Sequence, residues 1–281
     1  VGIISMTSAA TSSSIGAIIW MPWPGPEWNL RRMIEQHTTD FGYRQLRPEE
    51  KTRQVGRVFS SVARKYDLMN DLMSLGIHRF WKRYAVHMAA PRSNARVLDV
   101  AGGTGDMTVL FRDRLGPEGQ VILSDINEQM LGVGRDRLLD RGIVRGVDYV
   151  LADAEALPFR DHSFDCICIA FGLRNVTDKQ RALQSMYDKL RYGSSLLILE
   201  FSTVVLPLLG KLYDQYSFRL IPHLGSLVTG DKDSYEYLVE SIRRHPDQHT
   251  LKLMLEKAGF SRVNVYNLSG GNVAIHRGYK I

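Results

Sequence analysis

The sequence VLDVAGGTGD occupies residues 97–106, and Asp125 follows twenty residues after Gly105. This is the pattern of a short apolar strand, a glycine-rich turn and the start of a helix, with Asp125 at the end of the next apolar segment. It predicts the first half of a doubly wound α/β sheet that binds a nucleotide, with a carboxylate placed to hold two ribose hydroxyls. Glycines suit such a turn because a side chain would keep the ligand away from the backbone. The alternative is a glycine turn that only starts a helix.

The residues around this turn narrow the choice of ligand. Its glycines match the first half of the dinucleotide fingerprint, but Thr108 stands at the third small position, so close packing over a pyrophosphate is not encoded. The triphosphate-binding pattern G-x-x-x-x-G-K-[ST] is absent from the sequence. Asp99 and Asp106 put negative charge on both sides of the turn, which suits a cationic ligand better than phosphates. A ribonucleoside with a positive charge and no phosphate is S-adenosylmethionine, which we expect as the cofactor.

Composition sets limits on the partners. The chain has 281 residues, of which 44 % are hydrophobic, and this is enough for one large domain with additions. Its net charge of +6 would permit contact with anionic lipid or phosphate, but without a strong basic stripe we expect no nucleic acid as a partner. We interpret the basic cluster Arg79, Lys82 and Arg83 as a solvated helix face.

Cys166 and Cys168 are the only cysteines in the sequence. We interpret them as thiols of the hydrophobic core, and we expect no metal site.

Strands and helices are predicted to alternate after residue 90. The strands are expected at 96–100, 120–124, 148–151, 164–171 and 195–201, and the helices at 107–115, 128–141 and 178–190. This alternation predicts a parallel sheet covered on both faces. A last helix between Asp247 and Gly259 precedes two strands at 262–268 and 273–279, which form an antiparallel hairpin at the edge of the sheet. The whole predicts an α/β fold of class I methyltransferase type, a Rossmann-like doubly wound sheet with a C-terminal hairpin.

Three segments lie outside this sheet. Residues 1–40 are interpreted as a disordered or presequence-like segment, and 41–281 as the methyltransferase domain. Helical patterns from Lys51 onward and over 76–88 predict an N-terminal helical cap at 50–90. An apolar and aromatic helical insertion at 202–246 follows the fifth strand, at the edge of the sheet where ligands bind. It is either an ordinary helical addition or a lid over a long apolar substrate, and the two readings are compatible.

The first three predicted strands end in residues that suit one part of S-adenosylmethionine each. Asp125 can accept hydrogen bonds from both ribose hydroxyls, while the Asp153 carboxylate and the Ala154 N–H can read the adenine edge. The loop at 170–175 is expected to face the second substrate. The full set of predicted cofactor-binding residues is Asp99, Gly103, Thr104, Gly105, Asp125, Asp153, Ala154 and Ala170.

Five sequence blocks, at 66–78, 99–106, 154–159, 171–178 and 240–243, resemble the ubiquinone/menaquinone biosynthesis C-methyltransferases. The similarity extends over roughly 41–281, and it is strongest to the mitochondrial members that act on 2-methoxy-6-polyprenyl-1,4-benzoquinol. The glycine motif is common to many methyltransferases, whereas the blocks at 66–78 and 171–178 together are highly specific.

The resemblance implies an enzyme that transfers a methyl group from S-adenosylmethionine to a ring carbon of a polyprenylated methoxy-benzoquinol in ubiquinone biosynthesis. It implies a peripheral protein on the matrix face of the mitochondrial inner membrane, in contact with other subunits of a ubiquinone-synthesis complex, and a homodimer is one option. Many members carry Asn where this chain has Asp153, and Ser where it has Ala170. The alternatives are a non-catalytic scaffold subunit of such a complex that binds S-adenosylmethionine, and a nicotinamide oxidoreductase, which Thr108 disfavours.

The resemblance also assigns residues to the second substrate. Arg174 is expected to stabilise the phenolate that makes the ring carbon nucleophilic, and Asn175 to orient a quinol oxygen or a water. Arg174 could instead pair with Asp178, and Asn175 could only cap a helix. The predicted substrate and cap residues are Tyr66, Asp67, Asn70, Leu212 and Tyr216.

Overall fold

Strands and helices alternate through the described part of the chain, which in this computed structural model comprises residues 38–63, 70–71, 74–204 and 232–281. The strands are β1 (Thr39–Phe41), β2 (Arg44–Leu46), β3 (Arg96–Val100), β4 (Gln120–Asp125), β5 (Val147–Leu151), β6 (Phe164–Ala170), β7 (Leu190–Phe201), β8 (Ser261–Leu268) and β9 (Val273–Tyr279). The helices are α1 (Pro48–Val62), α2 (His78–Ala89), α3 (Asp106–Arg114), α4 (Glu128–Asp140), α5 (Lys179–Lys189), α6 (Lys232–Arg244) and α7 (Gln248–Lys257).

Seven of these strands form one sheet in the order β5-β4-β3-β6-β7-β9-β8. The first five are parallel to one another, and β9 pairs antiparallel with both β7 and β8. Val97, Leu98, Ile167 and Cys168 in the central strands have no exposed surface, because helices cover both faces of the sheet. The predicted Rossmann-like class I methyltransferase fold with a C-terminal antiparallel hairpin is confirmed.

The structure corrects the predicted bounds around β6 and β7. Strand β7 begins at Leu190 instead of residue 195, because Leu190 pairs with Phe164 and the Gly193 N–H donates to the Lys280 carbonyl at 2.7 Å. Strand β6 ends at Ala170, one residue early, since Phe171 takes a left-handed φ of 56°. The short hairpin β1–β2 was not predicted, because three-residue strands carry too little periodicity to be recognised.

Helices α1 and α2 precede the sheet as predicted and contact its loops. The Asn127 side chain, just after β4, donates to the Gly56 carbonyl at 2.9 Å and to the Ser60 hydroxyl at 3.0 Å, which fixes α1 beside the carboxyl end of β4. The Trp81 indole on α2 donates to the Ser269 hydroxyl at 3.1 Å, next to the C-terminal hairpin.

Several predictions concern residues that the structure does not describe. Tyr66, Asp67, Leu212 and Tyr216 lie outside the described residues, as do residues 1–37 and most of the insertion at 202–246. Within that insertion, α6 packs against β1, with the Tyr237 and Phe41 rings stacked at 4.2 Å. The predicted domain, cap and lid boundaries stay predictions. Of the helices in the described ranges, none is long and apolar enough to cross a bilayer.

Candidate functional site

A pocket opens at the carboxyl ends of β3, β4 and β6, where an open α/β sheet binds its ligands. Its empty volume is about 1050 Å³, part of it open to solvent. It brings together most of the predicted site residues, namely Asp99, Gly103, Thr104, Asp125, Asp153, Ala154, Ala170 and Asn175. Gly105 and Arg174 are not among the described residues that line it, and neither is the buried Asn70.

Gly105 serves the packing of the loop more than the approach of a ligand. It has a φ of 81°, and a Cβ there would come within 2.6 Å of the Leu138 side chain on α4. Gly103 also has a left-handed φ, of 56°, and it does line the pocket. Gly103 is thus placed where the predicted close approach of a ligand would occur, whereas Gly105 lets the loop lie against α4.

Asp125 connects the glycine loop to the end of β4. Its Oδ2 accepts the Gly103 N–H at 2.9 Å, and its Oδ1 accepts the Asn127 N–H at 2.8 Å. Burial raises the pKa of Asp125 from 3.8 to about 6, although these backbone donors act in the opposite direction. Each carboxylate oxygen can accept a second hydrogen bond, so two vicinal hydroxyls in the pocket could bind here.

Asp99 lies beneath the same loop with no exposed surface. Its Oδ2 accepts a hydrogen bond from the Thr108 hydroxyl at 2.7 Å, while its Oδ1 has no partner among the described residues. Burial raises the pKa of Asp99 to about 7, which Thr108 and Lys82 partly counteract. Thr108, at the third position of the fingerprint, is therefore a hydrogen-bond donor to a buried acid, which a glycine or alanine could not be.

We expect the Asp99→Asn variant to change how stability depends on pH. Because the pKa of Asp99 is raised on folding, its contribution to stability is fully present below pH 3.8 and is lost as the pH rises through about 7. At pH 8 the variant should melt at least about 2–4 °C above the wild type, which corresponds to about 1 kcal/mol. The difference should shrink steadily as the pH falls from 7 and should largely vanish at about pH 4.

Thermal unfolding at both pH values tests this expectation. Asp140→Asn, at an exposed carboxylate on α4, is the matched control and should leave the pH dependence unchanged. A gain of the Asp99→Asn variant that is the same at pH 4 and pH 8 would contradict the raised pKa.

Lys82 was interpreted as part of a solvated helix face, and the structure corrects this. Its ammonium is buried at the pocket wall and pairs with the Asp106 carboxylate at 2.6 Å, and Arg137 pairs with the other oxygen at 2.7 Å. These two cations lower the pKa of Asp106 despite its burial, and they neutralise its charge. The negative charge that the sequence places at Asp106 is thus largely compensated. Asp106 therefore favours a cationic ligand less than the sequence alone indicates.

Arg174 and Glu200 form a buried ion pair behind the pocket. The side chains are 1 % and 2 % exposed, and Nη1 of Arg174 lies 2.9 Å from Oε1 of Glu200. Glu200 also accepts the N–H groups of Arg174 at 3.2 Å and of Phe201 at 2.9 Å. Glu200 was not predicted, although an acid near the end of an otherwise apolar strand signals a buried partner for a cation.

Asn175 lines the pocket and is held by a residue of the insertion. The Tyr237 hydroxyl on α6 donates to Oδ1 of Asn175 at 3.1 Å. Burial raises the pKa of Tyr237 well above its ordinary value, so this hydroxyl is a donor at neutral pH. The Asn175 amide group therefore keeps its N–H donors for the pocket.

Lys51 was also missed by sequence analysis. It is 1 % exposed, and its Nζ donates to the Val176 carbonyl at 3.1 Å and to the Thr39 hydroxyl at 3.4 Å. Burial lowers the pKa of Lys51 to about 8. This ammonium joins α1 to the loop that carries Asn175, so the cap and the sheet contribute to one site.

Comparison with known proteins identifies a family of enzymes that this chain resembles. A model of the ubiE/COQ5 methyltransferase family matches residues 47–280. The chain belongs to this family. The ubiquinone/menaquinone biosynthesis C-methyltransferase UbiE of Marinomonas sp. (strain MWYL1) is 58 % identical over 246 residues, which cover 88 % of this chain and 98 % of that protein. The protein of the same name from Vibrio cholerae serotype O1 (strain ATCC 39315) is 57 % identical over 245 residues, with 87 % and 94 % covered.

A solved structure supports the fold independently. A SAM-dependent methyltransferase from Thermotoga maritima aligns with a TM-score of 0.58 at 21 % identity, covering 81 % of this chain and all of that one. Family membership confirms the prediction of an S-adenosylmethionine-dependent C-methyltransferase of quinone biosynthesis, and it favours catalysis over the non-catalytic scaffold.

The predicted cellular location is wrong. The relatives named above are bacterial, and bacteria have no mitochondria. A mitochondrial location on the matrix face of the inner membrane therefore does not follow from this family. The blocks at 99–106, 154–159 and 171–178, which carry part of the resemblance, contribute residues to the pocket, and a pocket holds no information on the compartment of an enzyme.

Proposed function

We propose that the chain transfers the methyl group of S-adenosylmethionine to a ring carbon of a polyprenylated methoxy-benzoquinol. The observation that carries this proposal is that one pocket is lined by Asp125 and Gly103 at one end of the strand edge and by Asn175 at the other. A methyl transfer needs donor and acceptor in a single cavity, because the attacking carbon, the methyl group and the sulfur must be aligned. As a domain architecture we propose 1–40 as a preceding segment whose last two residues begin β1, 41–281 as the enzyme, 50–90 as its cap and 202–246 as its lid.

The cofactor end of the pocket suits the parts of S-adenosylmethionine. Asp125 would accept hydrogen bonds from the two ribose hydroxyls, and Gly103, Thr104 and the loop below them would follow the methionine part. Asp153 and Ala154 would read the adenine. Ala170, with no side-chain donor, would contribute only its backbone, and Asp99 and Gly105 would act by holding the loop from beneath.

The substrate end would activate the quinol. Attack on the methyl group requires electron density on the ring carbon, which a neighbouring phenolate supplies. The Asn175 amide would donate a hydrogen bond to that oxygen. Arg174 does not line the pocket and Glu200 compensates its charge, so Arg174 would act by holding the loop that carries Asn175, through its bond to the Phe171 carbonyl. Bound S-adenosylmethionine would supply the methyl group, with the carbon–methyl bond forming as the sulfur–methyl bond breaks. The phenolic proton would pass to solvent before the attack and the ring-carbon proton after it, and one proton would return to restore the phenol.

Further elements of the proposal rest on family resemblance. Tyr66, Asp67 and Asn70 would close the cap over the cofactor, and Leu212 and Tyr216 would contact the prenyl tail. We also propose peripheral contact with a membrane, other subunits of a quinone-synthesis complex as partners, and a homodimer as an assembly to be tested.

Replacing Asn175 by alanine tests the proposal. We expect kcat for a short-tailed quinol to fall about 10²- to 10³-fold, the usual effect of removing one donor to a developing oxyanion, while S-adenosylmethionine affinity stays within about twofold. Tyr237→Phe should reduce kcat by about fivefold, since Asn175 then loses one anchoring hydrogen bond of about 1 kcal/mol.

Initial rates with labelled S-adenosylmethionine, together with calorimetric titration of the cofactor, provide the readout. Asn264→Ala, at an exposed position of the edge strand β8, is the matched control and should behave as the wild type. A wild type that binds the cofactor but methylates no quinol would contradict the proposal, and so would an Asn175→Ala variant with full kcat.

A further inference from the structure

Three large apolar side chains are exposed within six residues at the start of α2. Leu75 is 75 % exposed, Phe80 63 % and Ile77 45 %. The Phe80 ring stacks on the half-buried Tyr84 ring at 6.2 Å, which holds it in place. Within the described residues, no other six-residue stretch contains three of the large exposed hydrophobic side chains. Clustered exposed apolar side chains mark an interaction surface more often than scattered ones do.

This cluster lies in a stretch of sequence whose charged side chains are all basic. From Ser74 to Leu98 the sequence contains no Asp or Glu, whereas it contains four Arg and one Lys. Of these, Arg79, Arg83 and Arg92 are exposed, and Arg79 is paired with Asp71 at 2.6 Å. The α2 outer face, as we name the surface formed by Leu75, Ile77, Arg79, Phe80 and Arg83, is therefore apolar and basic together.

The opposite side of α2 belongs to the catalytic pocket. Trp81, 2 % exposed, has its ring 6.3 Å from the rings of both Phe171 and Phe201, and Lys82 lines the pocket. One helix, about 10 Å across, separates the α2 outer face from the site. A partner that binds this face is therefore separated from the pocket wall by the width of one helix.

We propose that the α2 outer face docks on an anionic lipid bilayer. Aliphatic and aromatic side chains enter the interface between headgroups and acyl chains, and nearby arginines pair with anionic headgroups. A second copy of the chain fits less well, because a two-fold contact through this face would bring Arg79 and Arg83 against their own copies. The inference rests on the proposed function for its purpose, since a quinol with a polyprenyl tail resides in a bilayer.

Sedimentation of the full chain with vesicles tests this surface. We expect binding to vesicles of equal parts phosphatidylglycerol and phosphatidylcholine, weakened by salt, and little binding to phosphatidylcholine alone. The Leu75→Ser/Phe80→Ser variant should bind at least tenfold more weakly. Arg83→Gln should lose about fivefold on anionic vesicles, since one arginine near such a surface contributes about 1 kcal/mol.

Val144→Ser/Leu253→Ser, which alters two residues that are 70 % and 50 % exposed elsewhere, is the matched control and should bind as the wild type. Methyl transfer to a short-tailed, water-soluble quinol should be unchanged in the Leu75→Ser/Phe80→Ser variant, which shows that it is folded. Transfer to a long-tailed quinol in vesicles should fall in parallel with binding.

Two kinds of result would overturn the inference. One is a wild type that ignores anionic vesicles or a Leu75→Ser/Phe80→Ser variant that binds them as well as the control does. The other is a wild-type dimer that the same variant dissociates in sedimentation analysis, since the face would then be a protein interface. If vesicle binding depends on this face but the chain transfers no methyl group, the docking inference is supported and the proposed function is contradicted.

Discussion

Replacing Glu200 by leucine is expected to lower the free energy of unfolding by about 3–5 kcal/mol, because it leaves a buried guanidinium without its carboxylate. The Arg174 side chain is 1 % exposed and lies 2.9 Å from Glu200, which is 2 % exposed. Glu200 also accepts two backbone N–H groups, those of Arg174 and Phe201, and these lose their acceptor. Urea unfolding at pH 7 gives the measurement.

Two further variants test whether the lost stability comes from the broken ion pair or from replacing a glutamate by leucine as such. Glu118→Leu, at an exposed glutamate before β4, should change stability by no more than about 0.5 kcal/mol. Arg174→Met/Glu200→Leu should recover much of the loss, since an apolar pair of similar volume often replaces a buried ion pair at little cost. A Glu200→Leu variant within about 1 kcal/mol of the wild type would mean that the pair is not buried in solution.

Replacing Asp125 by alanine is expected to weaken S-adenosylmethionine binding by about 10²- to 10⁴-fold. Two charge-assisted hydrogen bonds to the ribose would be lost, each worth about 1.5–3 kcal/mol. Asp125 also accepts a hydrogen bond from the Gly103 N–H. The alanine variant loses this bond, which fixes the glycine loop to the end of β4. Asp148→Ala, at an exposed carboxylate on the neighbouring strand β5, should leave the affinity unchanged.

The same carboxylate should make cofactor binding depend on pH. The pKa of Asp125 is about 6, and only its ionised form can accept from both hydroxyls. Affinity should therefore be full at pH 7.5 and fall as the pH drops below 6, by up to about tenfold per pH unit. Calorimetric titration should show this decline in the wild type but not in Asp125→Asn. An Asp125→Ala affinity equal to that of the wild type would remove Asp125 from the cofactor site.

Much of this site could be predicted because it follows from strand ends. Parallel strands bring their carboxyl ends to one edge, so Asp125, Asp153 and Asn175 had to lie close together once the alternating pattern was recognised. The glycines at 103 and 105 were equally visible, since both take left-handed backbone angles that other residues avoid.

The charge pairs could not be predicted, because they join residues that are far apart in the sequence. Nothing in the sequence near Lys82 shows that it points inward to Asp106, and a basic helix face is ordinarily solvated. Arg174 finds its carboxylate 26 residues later, on another strand. Likewise, the early start of β7 depends on pairing with β6 and β9, which adds residues with no apolar periodicity of their own.

Transfer of an isotopically labelled methyl group from S-adenosylmethionine to a short-tailed 2-methoxy-6-prenyl-benzoquinol, under reducing conditions, is the most direct test of the proposed function. We expect the label on a ring carbon, located by magnetic resonance of the product. Label on a quinol oxygen, or cofactor binding without any transfer, would contradict it.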